Sequence, residues 1–138
     1  MRILLDNDVV LDFVLERQPF FADTEMIFQN LDNGDIECFV SAITPINVFY
    51  TTRKLRDKAI ALQAVKDLLI AVKVCRTDKL VLQTAFTLSF TDYEDAVQCA
   101  SALAENLDAI VTRNTKDYKN STVKVYSPIE FLQVLQTQ

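Results

Sequence analysis

The sequence predicts an α/β fold: a single domain over residues 1–138, built as a three-layer α/β/α sandwich around a central, mainly parallel sheet of about five strands. The prediction rests on the alternation of two kinds of segment and on the length and apolar content of the chain. Short apolar runs alternate along the chain with longer segments whose apolar residues recur at helical spacing. Strands that alternate with helices in this order form a parallel sheet with helices on both faces. The length of 138 residues, half of them apolar, suits one hydrophobic core.

Five apolar runs are short enough to be buried strands, and polar or turn residues bound them. In chain order they are Arg2–Leu5, Glu37–Ile43, Val72–Cys75, Ala109–Thr112 and Val123–Tyr126. Polar side chains directly follow the first and the fourth of these runs. In open parallel sheets, ligands bind beyond the carboxyl ends of the strands, so those two places are where a site is expected.

Seven segments between and after the strands are predicted to be helices. The Asp32-Asn33-Gly34 turn ends the second, and Thr44-Pro45 fits an N-cap followed by proline at the first helical position. Thr91 and Glu94 fit a capping box, and Pro128 opens the last helix. The predicted helices are Val9–Leu15, Phe20–Leu31, Thr44–Lys54, Asp57–Ile70, Lys79–Thr87, Thr91–Glu105 and a final one from Pro128.

Two missing residue types exclude several kinds of site. The chain has no histidine, which excludes Ser-His-Asp and Cys-His catalysis and histidine metal ligation. Its one glycine, Gly34, excludes the glycine-rich phosphate loops of P-loop and dinucleotide-binding proteins. Catalysis would therefore rest on carboxylates, amides, hydroxyls or lysine. A net charge of −5 argues against a broad basic nucleic-acid surface, although a local basic strip is compatible with it.

The composition also predicts a cytoplasmic protein. No apolar run approaches the roughly 20 residues that a membrane span needs, and the N-terminus lacks the features of a secretory signal. The three cysteines lie in apolar contexts without paired spacing, so we expect buried thiols in a reducing compartment, with neither disulfides nor a zinc site.

Acidic and amide residues gather where the predicted topology brings separate segments to one edge of the sheet. They are Asp6, Asp8, Asn47, Asp92, Asp95, Asn114 and Asp117, with Thr112 among them. Clustered carboxylates repel one another unless a cation intervenes, and oxygen ligands of this kind suit Mg²⁺ or Mn²⁺. Taken singly, several of these residues also fit ordinary capping roles: Asp8 could cap the helix from Val9, and Asn114 could cap a turn.

On a helical wheel of Thr91–Glu105, the apolar stripe contains Ala96, Cys99, Ala100 and Leu103. Asp92 and Asp95 extend this stripe toward the N-terminus, so Asp95 is expected to point toward the sheet. Glu94, Gln98 and Glu105 are expected mostly on other faces. First-turn acids can also simply complement the helix dipole.

The whole chain resembles a PIN domain, the small metal-dependent ribonuclease fold found in many bacterial toxins of toxin–antitoxin pairs. The stretches that carry the resemblance are "ILLDNDVVLDFVLER", "SAITPINVFYTTRK", "DYEDAVQCASA" and "AIVTRNTKDY". "EDA" at the start of a helix, followed about a dozen residues later by two apolar residues and "TRNTKD", is typical of one PIN subfamily.

The resemblance implies roles for individual residues. Asp6 and Asp95 would bind the metal, Thr112 and Asn114 would complete the site, and Asp117 would lie nearby. Asp8 stands where the family often has Asn. Two positions depart from the common pattern, since many PIN domains have Glu in place of Asn47 and Asp in place of Asn114. Asp92 and Asp117 could restore the missing charge.

The expected activity is hydrolysis of RNA phosphodiester bonds, in which Mg²⁺ or Mn²⁺ activates water and stabilises phosphoryl charge. Two basic runs, one with Arg53 and Lys54 near the mouth of the site and one with Arg113 and Lys116, are candidates for binding the RNA backbone. The family also implies a small antitoxin partner. Exposed apolar residues around Phe20-Phe21 or Phe86–Phe90 could form a homodimer.

Three other interpretations fit part of the sequence. An apolar strand followed by Asp6 and Asp8 also begins haloacid-dehalogenase-like phosphatases, but those usually need a longer chain and a glycine-rich turn. A phosphoacceptor receiver domain would need an Asp at the end of its third strand, where Asp78 is the nearest candidate. The third is a PIN fold that binds RNA or protein without cutting, which Asn47 and Asn114 favour.

Overall fold

The computed structural model describes all 138 residues and contains five strands and seven α-helices. The strands are β1 Arg2–Leu5, β2 Glu37–Val40, β3 Lys73–Val74, β4 Ala109–Val111 and β5 Lys124–Tyr126. The helices are α1 Asn7–Val14, α2 Phe21–Asp32, α3 Ile43–Leu55, α4 Lys58–Ala71, α5 Lys79–Ala85, α6 Tyr93–Ala104 and α7 Pro128–Gln136, and a 3-10 turn covers Thr115–Tyr118. The predicted order of elements is confirmed, with bounds that differ by a few residues.

The five strands form one sheet in the order β3-β2-β1-β4-β5, and every neighbouring pair is parallel. The predicted α/β sandwich is therefore confirmed. From β1 the chain proceeds outward to β2 and β3 on one side, and β4 and β5 lie on the other side. The strand order thus reverses between β1 and β4, and in open α/β sheets this is the crevice where ligands bind.

Alternation along the strands divides the core between the two faces of the sheet. Ile3 and Leu5 pack in the larger cluster, with residues of α1, α2, α3, α4 and α7, whereas Leu4 packs with α6 on the opposite face. Ile110 of β4 also packs on the α6 face. Because side chains two residues apart share a face, Asp6 and Thr112, which follow Leu4 and Ile110, continue toward α6.

Five helices begin at a residue whose side chain accepts a first-turn backbone N–H, and three expectations about caps are wrong. The caps of α4, α5, α6 and α7 are Asp57, Asp78, Asp92 and Ser127. Thr44 is not an N-cap, because α3 begins at Ile43 and has no side-chain cap. Thr91 forms no capping box, because the adjacent Asp92 accepts from the Asp95 backbone N–H instead. Asp6, and not Asp8, precedes α1 and accepts from the Asn7 N–H.

The chain's single glycine and its cysteines occupy the places that their chemistry favours. Gly34 has a φ of +80° in the turn between α2 and β2, a conformation that side chains strain. All three cysteines are free and buried, as expected, and burial raises the pKa of Cys38 and Cys75 to about 12. The longest helix has 14 residues, and none is long and apolar enough to cross a membrane.

Candidate functional site

Asp6 lies at the carboxyl end of β1 and is almost fully buried, with 6% of its surface exposed. Its Oδ1 accepts hydrogen bonds from the Asn7 backbone N–H at 2.7 Å and from Gln98 Nε2 at 3.1 Å. Its Oδ2 accepts from Thr112 Oγ1 at 2.7 Å. Burial raises the pKa of Asp6 even though these three hydrogen bonds lower it. The carboxylate is therefore held firmly in a site that lacks a compensating positive charge.

Asn7 joins three helices at this edge of the sheet. Its Oδ1 accepts from Thr44 Oγ1 of α3 and, at 3.4 Å, from Gln98 Nε2 of α6. Its Nδ2 donates to Glu94 Oε1 at 2.6 Å. Because the amide uses both its acceptor and its donor, α1, α3 and α6 are fixed relative to one another beside Asp6.

Glu94 and Gln98 were expected away from the site, and this expectation is wrong. Both belong to the network around Asp6 and Asn7, and Gln98 is fully buried. Helix α6 lies between the sheet and α5, so every residue from Ala96 to Ala102 is buried and the helix has no single buried stripe. A long polar residue inside that run of small and apolar residues is the sequence signal that could have found Gln98.

Asp95 points toward the sheet, as the helical wheel predicted. It is half-buried, and its Oδ1 accepts from the Tyr118 hydroxyl at 3.3 Å. Burial, followed by repulsion from Asp6 and Asp92, raises the pKa of Asp95 to about 7. Burial also raises the pKa of Glu94, and repulsion from Asp92, Asp6 and Asp8 adds to that effect.

The other predicted site residues lie around this centre. Asn114 donates from Nδ2 to Asp8 Oδ2 at 2.9 Å, and its backbone N–H donates to Thr112 Oγ1 at 3.1 Å. Asp92 and Asp117 are exposed at the rim, where both raise the pKa of Asp95 by repulsion. Asn47 lies one helical turn after Thr44, half-buried and without a side-chain hydrogen bond.

The structure gives the predicted RNA-binding cations very different surroundings. The guanidinium of Arg113 pairs with the buried carboxylate of Asp12 and stacks over the Phe20 ring at 3.9 Å, so it is already engaged. Arg53 and Lys54 are exposed in the last turn of α3. At about 1.5 Å per residue, Arg53 lies about 14 Å along the helix from Thr44, at the opposite end of α3 from the contact with Asn7. Lys116 is exposed in the 3-10 turn after β4.

The donors at this edge fit a hard divalent cation. None of the six surrounding acids (Asp6, Asp8, Asp92, Glu94, Asp95 and Asp117) forms an ion pair. In addition, the buried Gln98 Oε1, on the amide that contacts Asp6, has no hydrogen-bond partner. No three of the acids converge closely enough to hold one ion by themselves. This donor set therefore fits a hard divalent cation that is bound by one or two carboxylates together with water and substrate phosphates.

Comparison with known proteins identifies the family. A family profile described as PIN domain matches residues 2–116. The chain belongs to the PIN domain family, which confirms the resemblance and replaces the phosphatase and receiver-domain interpretations. Comparison with curated protein sequences gives no significant match.

Solved structures of toxin–antitoxin proteins share the fold. A DNA-bound VapBC from Salmonella typhimurium aligns with a TM-score of 0.72 at 15% identity, over 93% of this chain and 98% of that one. VapBC-1 from nontypeable Haemophilus influenzae aligns at 0.71 and 17% identity, over 94% and 99%. The toxin VapC20 from Mycobacterium tuberculosis, which cleaves the sarcin–ricin loop, aligns at 0.64 and 10% identity, over 78% and 86%.

Proposed function

We propose that this PIN-domain protein is a metal-dependent endoribonuclease and the toxin of a toxin–antitoxin pair. The observation that carries the proposal is the buried, unpaired Asp6 carboxylate beside Asp95 at the point where the strand order reverses. Desolvation and mutual repulsion raise the pKa of both carboxylates, so a cation bound there would relieve an unfavourable interaction.

Each residue of the site has a role in this proposal. Asp6 and Asp95 are the principal metal ligands, and Asp92 and Asn114 lie at the rim as further oxygen donors. Thr112 fixes the orientation of the Asp6 carboxylate through its 2.7 Å hydrogen bond. Asp8, Asn47 and Asp117 are supporting residues around the centre.

Mg²⁺ or Mn²⁺ bound here would supply an electrophile for the phosphoryl oxygens and lower the pKa of water. Residues of the chain would position the metal ligands and bind the RNA. Tyr118 donates to Asp95, and burial raises the pKa of this tyrosine, so its hydroxyl stays protonated and keeps Asp95 in place. Lys116, exposed on the same segment as Asp117, is the best-placed of the four predicted cations for an RNA phosphate.

The similar structures support RNA as the substrate and a small antitoxin as the partner. VapC20 is a toxin that cleaves the sarcin–ricin loop, and several of the other similar structures are VapBC or FitAB toxin–antitoxin proteins. A cytoplasmic location agrees with three free, buried thiols.

We also propose a homodimer. Of the two apolar segments that the sequence suggested for its interface, only one is exposed. Phe86 is 77% exposed, and its ring packs at a tilt against Tyr93, with ring centroids 4.7 Å apart. Phe20, by contrast, is covered by Arg113, and Phe21 packs against Phe13. The Phe86 segment is therefore the better candidate for contact with a second copy.

A PIN fold that binds RNA without cutting it is the second candidate. Asn47 and Asn114 are neutral, and no three carboxylates converge on one point. Under this alternative the site would bind nucleic acid or a partner, and Mg²⁺ would not be needed.

Calorimetric titration with Mn²⁺, alongside cleavage of a mixed single-stranded RNA pool, separates the two candidates. Wild-type protein is expected to bind Mn²⁺ and to cleave RNA, and D6N and D95N are expected to lose both. Asp67→Asn, which removes a charge from the exposed face of α4, is the matched control. Absence of binding by folded wild-type protein at millimolar Mn²⁺ would favour the non-catalytic candidate.

A further inference from the structure

Glu94 is an acid that the metal-site assignment above does not use. It lies in the first turn of α6, where a carboxylate can complement the helix dipole while it stays in water. Glu94 remains exposed, yet its side chain turns toward α1 and accepts a 2.6 Å hydrogen bond from Asn7 Nδ2. This contact places the Glu94 carboxylate beside Asn7, the residue that directly follows Asp6.

Glu94 has a free carboxylate oxygen, whereas Asp6 has none. Both oxygens of Asp6 are engaged, since Oδ1 accepts two hydrogen bonds and Oδ2 accepts one. Glu94 uses only Oε1, and it forms no ion pair. An ionised carboxylate has about four acceptor positions, so Glu94 keeps most of its capacity for a cation or for metal-bound water.

Asn7 holds this carboxylate in one orientation. Donors from Thr44 and Gln98 both point at Asn7 Oδ1, so the Nδ2 group must face Glu94. Reversing the amide would turn Nδ2 toward two donors and the amide oxygen toward a carboxylate. Asn7 therefore acts as a positioning residue for Glu94.

The buried Gln98 side chain is a second unusual feature of this place. Its Nε2 contacts both Asp6 and Asn7, yet Oε1 on the same amide is fully buried and has no donor. A buried carbonyl oxygen is almost always partnered by protein or ordered water. The network around Asp6 therefore contains a polar group that the protein itself does not satisfy.

We propose that Glu94 is a further metal-binding carboxylate of this chain and that Asn7 positions it. The inference rests on the proposed metal-dependent function. Because no three of the acids converge on one point, Glu94 would contact the cation through a bound water, beside the ligands Asp6 and Asp95. The competing interpretation is that the Asn7–Glu94 hydrogen bond only ties α6 to α1.

Glu94→Gln separates the two interpretations, because glutamine keeps the Oε1 acceptor for Asn7 and loses the charge. Calorimetry with Mn²⁺ is expected to show at least a tenfold weaker affinity for E94Q than for wild type. Thermal unfolding without metal should give an unchanged or slightly higher Tm, since the hydrogen bond remains and repulsion from Asp6 falls. Glu25→Gln, which neutralises an exposed acid on α2, should bind Mn²⁺ within twofold of wild type.

The same titrations distinguish the failure of this inference from the failure of the proposed function. If D6N loses Mn²⁺ binding but E94Q stays within twofold of wild type, Glu94 is only a structural contact and the inference is wrong. If folded wild-type protein binds no Mn²⁺ at millimolar concentration, the proposed function and the inference are both overturned. An equal weakening by E25Q would attribute the effect to net charge and would also overturn the inference.

Discussion

The guanidinium of Arg113 and the fully buried carboxylate of Asp12 form a two-point ion pair. Arg113 Nε lies 2.7 Å from Asp12 Oδ2, and Nη2 lies 3.3 Å from Oδ1. Arg113 stands between Thr112 and Asn114, so the pair fixes the segment after β4 against α1. Arg17 lies farther from the same carboxylate, at 3.7 Å. The pair therefore holds the segment that carries Thr112 and Asn114 in place. Because the guanidinium is bound to Asp12, Arg113 is poorly available to bind RNA.

Removing Arg113 should destabilise the fold. Arg113→Ala leaves the buried Asp12 carboxylate with only the looser 3.7 Å ion pair to Arg17, and breaking a buried ion pair from one side costs about 3–5 kcal/mol. We expect a loss of about 3 kcal/mol in the free energy of unfolding, measured by urea denaturation at pH 7. Arg53→Ala, at an exposed and unpaired position, should change it by less than about 0.5 kcal/mol. A similar small change for R113A would contradict the structural role.

Two fully buried threonines offer a matched test of the Asp6 environment. Thr112 Oγ1 donates to Asp6 and accepts from the Asn114 N–H, whereas Thr52 Oγ1 has no partner. Thr112→Val leaves a buried carboxylate oxygen without its donor and should cost about 1–3 kcal/mol of unfolding free energy. Thr52→Val removes an unsatisfied hydroxyl and should be neutral or stabilising. Equal effects of the two substitutions in urea denaturation would show that the Thr112 hydrogen bond is unimportant.

The raised pKa of Asp95 predicts that stability without metal falls as the pH rises. The folded-state pKa is about 7, above the unfolded value of about 3.9, so the folded protein holds a proton that the unfolded chain has released. The stabilising protonated form is fully present below pH 4 and is lost as the pH rises toward 7. The raised pKa values of Asp6 and Glu94 act in the same direction.

Urea denaturation between pH 4 and pH 8 in the presence of a chelator measures this effect. Wild type should lose unfolding free energy as the pH rises, and Asp95→Asn should show a smaller slope and higher stability at pH 8. Asparagine keeps the Oδ1 acceptor for Tyr118, so that contact is preserved. A wild-type slope that D95N does not reduce would rule out Asp95 as the source.

The sequence was sufficient for the strands and for the part of the site that follows them. Asp6 and Thr112 come directly after buried strands, and parallel pairing brings those strand ends together. Asp95 was also predictable, because it extends the apolar stripe of α6. These residues share one property: their direction depends only on local periodicity and on parallel pairing.

The residues that sequence reasoning misplaced depend on packing between distant segments. Glu94 and Gln98 face Asn7 because α6 is covered on two sides, which a wheel with one buried stripe does not represent. Arg113 resembled an RNA-binding cation because its partner, Asp12, is 101 residues away in the chain. No pattern within either segment indicates that they meet.

Lys116 should be the cation that contributes most to RNA binding. It is exposed and unpaired beside Asp117, whereas Arg113 is engaged by Asp12.

Fluorescence anisotropy with a single-stranded RNA in the presence of a chelator, repeated over a range of salt concentrations, tests the role of Lys116. Each lost phosphate contact on single strands reduces the slope of log K against log salt by about 0.7, so Lys116→Gln should weaken binding and reduce the slope by about that amount. Lys66→Gln, at an exposed position in the middle of α4, should leave both quantities unchanged. If K116Q leaves the slope unchanged and Arg53→Gln reduces it, the prediction is wrong. The RNA would then bind near the C-terminal end of α3.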